Sequence, residues 1–383
     1  MPSVRAEAKL ATIPLMNKMI ISNLVHRPIR SLISVVAVAV EVTLMLVIVG
    51  LMFGMLNDNK QRTAGIGADA FVRPPGSSAI MTASGAPASI KVADVLRKLP
   101  HVSAVAPVVL QTVTSGAVET IYGIDLATWD QLGSPFRYIA GGPFQGANDI
   151  IVDDYFANSA HLKVGDTTTV LAHDFRVCGI VEHGKGGRKF LPLHTLQELT
   201  NSEGKASIFY VKLDDPKNYE AFKSEVMNVP GMSQYVVTSI QEWLSLVTPE
   251  RLPGFSITIK VVIGIAVCIG FIVIFQSMYT AVMERTREIG ILKSLGASKG
   301  YIVNVILRET VILVIAGIIL GIGISFATQA ALLAKFPTIT VQVGAENWLW
   351  KAAVIAIVGA MIGALYPAFK AAQKDPIDAL AYE

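Results

Sequence analysis

Four stretches of this chain are almost free of charge, and the segments between them are patterned quite differently. Residues 32–56, 261–283, 310–334 and 352–369 are apolar over close to the ~20 residues that cross a bilayer core, with Glu41 the one ionised side chain among them. They predict four transmembrane helices. The first begins about thirty residues into the chain and runs too long for the apolar part of a cleavable signal peptide, so it reads as an uncleaved anchor. Residues 57–260 instead alternate short Val/Ile-rich runs with amphipathic stretches, the mark of an α+β domain. A weak internal echo organises that domain. Val92 to Leu99 reads as a helix followed by Pro100, a turn and the run Ala104 to Leu110; Tyr219 to Val229 reads as a helix followed by Pro230, a turn and the run Gln234 to Ser239. With a strand at Ser207 to Leu213, these units predict a βαβ-type lobe. Residues 145–200 are strand-rich (Asp149 to Val152, Thr167 to Ala172, Phe175 to Val181), with turns at Gly165 and at Gly184 to Gly187, and predict an inserted second lobe. The loop at 73–88, rich in Pro, Gly, Ser and Ala, reads as a surface loop.

Charge sets the orientation. Arg5, Lys9, Lys18, Arg27 and Arg30 precede the first span, and Arg285, Arg287, Lys293, Lys299 and Arg308 lie between the second and third. Lys and Arg concentrate on the cytoplasmic side of membrane proteins. The predicted order is therefore a cytoplasmic tail (1–31), the first span, an extracytoplasmic domain (57–260), the second span, a cytoplasmic segment (284–309), the third span, a short outer loop (335–351), the fourth span and a cytoplasmic tail (370–383). The domain at 57–260 holds 18 Lys/Arg and 20 Asp/Glu, a balanced soluble composition long enough for its own core. For the whole chain, 52% of residues are hydrophobic and 16% charged, with a net charge of +3. That balance argues against a nucleic-acid partner. Cys178 and Cys268 fall on different sides or depths of this layout, so no disulfide is expected.

Candidate chemistry is sparse. His161, His173, His183 and His194 share the inserted lobe but have no ligand spacing and no acidic cluster, so no metal site is expected. No turn of the GxSxG kind presents a serine. The run from Gly184 to Lys189 fails the GxxxxGK[ST] spacing that cradles nucleotide phosphates. Glu41 lies about 15 Å into the first span at 1.5 Å per residue; such a carboxylate normally faces a bundle interior, and a bond from protonated Glu41 to Gln276 of the second span is the expected arrangement. Gly50 with Gly54, Gly317 with Gly321, and Gly359 with Gly363 place two glycines on one helix face, suited to close packing within the bundle or in a homodimer. Leu15 to Arg30 is amphipathic, with Met16, Met19, Ile20 and Leu24 on one side, as in a helix lying along the inner membrane surface.

The most informative segment is Glu284 to Gly300, ERTREIGILKSLGASKG. It combines charges that cannot enter lipid with Ile289, Leu292 and Leu295 at i, i+3, i+6, an apolar stripe on a short helix at a membrane exit. That pattern suits either a connector or a surface for a soluble partner. The segment resembles the signature of the FtsX-like/MacB-type ABC transporter permeases and stands where that family has it, just after the second span. The tail from Tyr366 to Leu380 (YPAFKAAQKDPIDAL) is similar to the family's ending, and Asn23 to Leu32 (NLVHRPIRSL) to its entry into the first span. Leu162 to Asp166 and Phe190 to Leu196 resemble pieces of its outer domain, so the likeness runs through nearly the whole chain.

The resemblance implies a permease of the mechanotransmission (type VII) superfamily, which includes lipoprotein-releasing relatives. It would sit in the inner or plasma membrane as a homodimer. ATP and Mg would be held by a separate ABC ATPase subunit, with no cofactor and no catalytic residue in this chain, and a periplasmic adaptor is a further implied partner. Glu284, Arg287, Glu288, Gly290, Lys293, Leu295, Gly296 and Ala297 would form the ATPase-coupling surface. ATP-driven closure would move the outer domain, itself two-lobed in the family, to export or extract amphipathic cargo. The alternative is an FtsX-like signalling subunit that regulates a cell-wall hydrolase or senses an extracytoplasmic ligand. A membrane-embedded enzyme finds no catalytic constellation here.

Overall fold

In the computed structural model, residues 28–77, 86–114, 118–252 and 254–373 are described. The amphipathic stretch before Pro28, most of the small-residue loop and the tail beyond Gln373 lie outside them. Contacts divide the chain into a helix unit (Met1–Phe53, Ile257–Ala331 and Val341–Glu383) and a sheet unit (Gly54–Ser256 and Leu332–Thr340).

Among the described residues four helices are long and apolar enough to cross a membrane: α1 (Pro28–Ala64), α8 (Phe255–Glu284), α10 (Lys299–Lys335) and α11 (Trp348–Gln373). The short α9 (Thr286–Ser294) joins α8 to α10. Helix α1 continues for two turns past residue 56, where charges begin, and there Asp58 and Arg62 pair at i, i+4 with 3.1 Å between Oδ2 and Nε.

Within the helix unit, small residues set the spacing. A Cβ at Gly317 would fall 2.6 Å from Val38 Cβ, and one at Gly321 would fall 2.7 Å from the Ala39 carbonyl, so α10 seats directly on α1. Thr43 Oγ1 donates to the Gly321 carbonyl at 3.1 Å across the same contact. On α11, a Cβ at Gly363 would meet the Phe271 carbonyl of α8 at 2.8 Å, whereas one at Gly359 would rest in ordinary contact, 3.7 Å from Val267 Cγ1. Helix α11 adds Ala352, Ala356, Ala360, Ala364, Ala368 and Ala371 to this buried face. Gly50 carries the loop that follows α10: Gln342 N–H donates to its carbonyl at 2.9 Å. Gly54 is buried.

The sheet unit is built on β1 (Ala70–Arg73), β3 (Val102–Thr114), β11 (Ile208–Leu213) and β12 (Val236–Ser239), with α2 (Val92–Leu96) between β1 and β3 and α6 (Tyr219–Asn228) between β11 and β12. The order is β12-β1-β11-β3 and every neighbouring pair is antiparallel. This is the split-βαβ arrangement, in which two crossovers interleave. The two echoed helix-strand units thus build one sheet, but their strands, β3 and β12, are kept apart by β1 and β11 rather than lying side by side. The faces sort by strand alternation. Ala70 and Val72 join Leu96, Phe209, Phe222 and Val226 on the helix side, while Phe71 turns to the other side with Trp129, Tyr210 and Trp243.

Strand β3 is longer than the apolar run that announced it. Its first half, to Val108, pairs with β11, and its second half, from Val109, pairs with β4 (Val118–Ile124). All that lies between β3 and β11 in sequence continues the sheet from there. Strands β9 (Lys189–Pro192), β6 (Asp149–Asp153), β8 (His173–Val181) and β5 (Tyr138–Gly141) follow β4 in that order, and β7 (Thr167–Val170) pairs with β8. The strand-rich stretch therefore begins at β4, upstream of residue 145, and shares one ten-stranded sheet with the rest. Short helices α3 (Leu126–Asp130), α4 (Asp154–Ser159), α5 (Leu193–Leu199) and α7 (Ile240–Leu246) cover its faces, and a two-stranded ladder pairs β2 (Ala88–Ser89) with β10 (Lys205–Ala206).

The end of α1 is tied into this unit by charge. Arg188 Nη2 donates to Asp58 Oδ2 at 3.1 Å and to the Thr338 carbonyl at 3.0 Å, while its Nη1 reaches Asp153 Oδ2 at 3.3 Å. The turn from Gly184 to Gly187 fits beneath it: a Cβ at Gly65 would collide with the Gly184 carbonyl, and one at Gly187 would collide with the Tyr122 ring.

The thiol of Cys178, on β8, is half-buried and donates to the Ile150 carbonyl at 3.4 Å. Burial, and after it the negative charge of Asp149, push it up to about 11. The thiolate is the reactive form, so Cys178 is expected to alkylate about a hundredfold more slowly at pH 8 than a free thiol, and to speed up as pH rises toward 11. Mass spectrometry of iodoacetamide-treated protein measures this; labelling at the free-thiol rate contradicts it.

Candidate functional site

The segment at 284–300 folds as a stop, a turn and a restart. Helix α9 ends at Ser294 with Leu295 as its cap, and Gly296 follows at φ +95°. Gly296 N–H donates to the Lys293 carbonyl and Ala297 N–H to the Leu292 carbonyl, both at 3.0 Å. This is the Schellman closure, which places a left-handed residue, usually glycine, just past the helix. Ser298 then opens α10 by accepting the Tyr301 N–H at 3.2 Å on its Oγ, an N-cap bond. The sequence Leu295-Gly-Ala-Ser298 therefore stops one helix and starts the next. Any side chain at Gly296 is strained by about 1 kcal/mol. Gly296→Ala is thus expected to speed hydrogen exchange at the Gly296 and Ala297 amides about fivefold; unchanged exchange would show that the turn does not depend on glycine.

Two contacts fix α9 within the helix unit. Arg285, at the α8–α9 junction, donates from Nη1 to Glu309 Oε2 of α10 at 3.0 Å, with 11% and 4% of the two side chains exposed. Lys293 Nζ donates to the Ala372 carbonyl at 3.1 Å, a cation on the C-terminal end of α11 where the helix dipole favours it. Gly290 is buried.

The apolar stripe divides in a way its spacing did not predict. Ile289 and Leu292 line a cleft of about 410 Å³ together with Met278, Val282, Ile302 and Ile306. Leu295 does not continue that line. The helix ends there and the chain reverses, leaving Leu295 80% exposed, with Ile291 44% exposed beside it. Glu284, Arg287 and Glu288 are exposed and Ala297 is half-buried. Arg287, Ile291 and Leu295 are exposed, Ile291 also at the rim of the cleft, while Lys293 holds the Ala372 carbonyl and Gly296 closes the turn. Sequence reasoning missed Ile291, and it missed the Arg285–Glu309 pair, whose members lie 24 residues apart.

The expected Glu41–Gln276 bond does not form. Ser34 Oγ and Ser277 Oγ are 2.5 Å apart and set the register of α1 against α8. Seven residues along one helix and seven back along the antiparallel other bring Glu41 opposite Gly270, where a Cβ would collide with its carboxyl group. Gln276 sits two turns away and is exposed. Glu41 is 4% exposed, and its Oε1 has no hydrogen-bond partner among the described residues.

The four histidines are dispersed. His183 Nδ1 lies 3.1 Å from Asp154 Oδ1 and its ring stacks on Tyr155; His173 Nε2 lies 3.2 Å from Asn148 Oδ1; His194 Nδ1 lies 3.2 Å from Glu198 Oε1; and His161 is exposed. Among the described residues no three His, Cys, Asp or Glu side chains gather as a metal site would need.

A first span, an α/β domain, a second span and a short junction helix followed by two more spans define a membrane permease architecture. Residues 31–229 match the model of the MacB-like periplasmic core domain, and residues 260–376 match that of the FtsX-like permease C-terminal region. The chain belongs to the MacB/FtsX-type ABC transporter permease family and is a multi-pass membrane protein. It is similar to YknZ of Bacillus subtilis (strain 168), an uncharacterised ABC transporter permease, with 42% identity over 123 residues that cover 31% of this chain and 30% of the relative. It is also similar to the macrolide export ATP-binding/permease protein MacB of Rhodopirellula baltica, 29% identical over 186 residues, covering 45% of this chain and 26% of the relative. These alignments thus span less than a third of either relative's own length. Among solved structures, the periplasmic region of MacB from Actinobacillus actinomycetemcomitans overlaps 50% of this chain and 97% of its own, at 17% identity and a TM-score of 0.38.

Proposed function

We propose that this chain is the membrane subunit of an ABC transporter in which a separate ATPase subunit, holding ATP and Mg, docks on α9 and the turn that follows it. Both termini and α9 face the cytoplasm in this reading, the sheet unit faces outward, and two copies pair in the membrane. The observation that carries it is the outward face of the junction: Leu295 and Ile291 exposed beside Arg287, on a short helix that the Arg285–Glu309 and Lys293–Ala372 contacts brace against α10 and α11. A force applied at that face reaches two membrane helices at once.

Nucleotide-driven motion is transmitted along the helices to the sheet unit, whose two ends act as two lobes. The work is export or extraction of amphipathic cargo, with a periplasmic adaptor completing the path. Support for a partner ATPase comes from the family. Affinity purification of the tagged chain in mild detergent, with mass spectrometry and an ATPase assay, tests the reading. A co-purifying P-loop ATPase is expected; its absence across several detergents removes the coupling role from α9.

A further inference from the structure

Helix α1 lies in a seat between α8 and α10. On α8 the seat is marked by Gly270, which faces the Glu41 carboxyl group, and by Ser277, whose Oγ meets Ser34 Oγ. On α10 it is marked by Gly321 against Ala39 and Gly317 against Val38. Helix α1 therefore runs antiparallel to α8 and parallel to α10. It begins at Pro28, six residues before Ser34 and so level with Met283 of α8, six residues past Ser277. By the same count Pro28, ten residues before Val38, is level with Leu307 of α10.

The seat does not end where α1 begins. Steps of three and four residues keep to one helix face, and they lead from Ser277 to Ala281 on α8 and from Gly317 through Leu313 and Thr310 to Ile306 and Ile302 on α10, all buried. Ala281, Ile306 and Ile302 line the apolar cleft of about 410 Å³, with Val305 beside them and Ile289 and Leu292 of α9 completing it. Arg285 and Glu309, which also border the cleft, are paired with each other. The cleft is thus the continuation of the α1 seat toward α9, and the stretch from Leu15 runs directly into Pro28 at its mouth. That stretch carries the apolar side Met16, Met19, Ile20 and Leu24, and methionine adapts to irregular apolar gaps. Leu24 and Ile20 stand about 6 and 12 Å before Pro28 at the rise of a helix, the depth of the cleft beyond the level of Leu307. Lys18 and Arg27 oppose in sign the exposed Glu284 and Glu288 beside it.

We propose that the cleft is the docking site of this chain's own segment before Pro28, with Leu24 and Ile20 seated against Ile289, Leu292 and Val305 instead of lying in lipid. Docked there, the segment backs α9, whose position is then set from the N-terminal side as well as by the Arg285–Glu309 and Lys293–Ala372 contacts. The inference stands whether or not an ATPase meets Leu295.

The test uses the full-length permease in membranes, with Cys178→Ala and Cys268→Ala removing the native thiols. Leu24→Cys is combined in turn with Ile289→Cys, Leu292→Cys and Val305→Cys, and mild oxidation is followed by mass spectrometry of linked peptides. At least one pair is expected to close within a single chain, and Asn23→Cys, on the polar side of the segment, is expected to link at least tenfold more slowly. In a second measurement, Ile20→Asp with Leu24→Asp should raise maleimide labelling of Val305→Cys about tenfold, because carboxylates do not stay in an apolar cleft unpaired. Linkage between two copies would give the cleft to a second permease and overturn the proposal. So would the absence of linkage from all three pairs, or Val305→Cys labelling that is equally fast with and without the two aspartates, which leaves the cleft to lipid or to a partner protein.

Discussion

Leu295→Asp is expected to leave the permease folded and inserted while weakening its ATPase partner by about 30-fold, and to reduce stimulated ATP turnover accordingly. The side chain is 80% exposed, so its loss costs the fold little. In the proposed complex it becomes the apolar centre of a docked face. A carboxylate placed there must be buried without a partner, and central contacts of this kind are worth about 2 kcal/mol or more. Leu295→Ala should show a smaller loss, because it removes contact area without adding a charge. Titration of purified ATPase onto the reconstituted permease measures both. Equal affinity for Leu295→Asp and the unaltered chain would remove Leu295 from the interface.

Glu309→Gln is expected to act in the opposite way, through stability first. Arg285 and Glu309 are buried together at 3.0 Å, and removing one charge leaves the other desolvated without its counter-charge. Such breaks cost about 3–5 kcal/mol, whereas replacing both partners by apolar residues of similar size is close to neutral. Glu309→Gln should therefore lower the unfolding temperature markedly in detergent, and Arg285→Met combined with Glu309→Leu should recover most of it. If the double variant then supports ATP turnover as poorly as the single, the pair transmits motion and does more than hold α9 in place. A single variant as stable as the unaltered chain would contradict the burial argument.

Much of this architecture is written locally in the sequence. The membrane helices announce themselves by hydropathy, and the stop and restart at Leu295 to Ser298 is legible because glycine past a helix end and serine at the next helix start each have one local physical cause. What stayed hidden is nonlocal. The register of α1 on α8 depends on Ser34 meeting Ser277, and a depth estimate along each helix alone put Glu41 against Gln276, two turns from its true neighbour Gly270. Strand β3 looked short because its two halves answer to different partners, β11 and then β4. The stripe through Ile289, Leu292 and Leu295 failed at its last member, since helical spacing has no meaning beyond the residue where the helix ends. The alanines of α11 give the opposite lesson: the glycine pairs drew the eye, yet the four-residue alanine repeat buries more of that face.

The central claim is that the face carrying Leu295 meets an ATPase. A photo-crosslinking amino acid placed at position 295 of the full-length permease, activated in intact membranes and followed by mass spectrometry of the adduct, addresses it most directly. The account predicts a single major adduct with a P-loop ATPase, lost when the same group is moved to the exposed position of Ile319 within α10. Adducts with lipid alone at both positions, in cells where the ATPase is present, would contradict it.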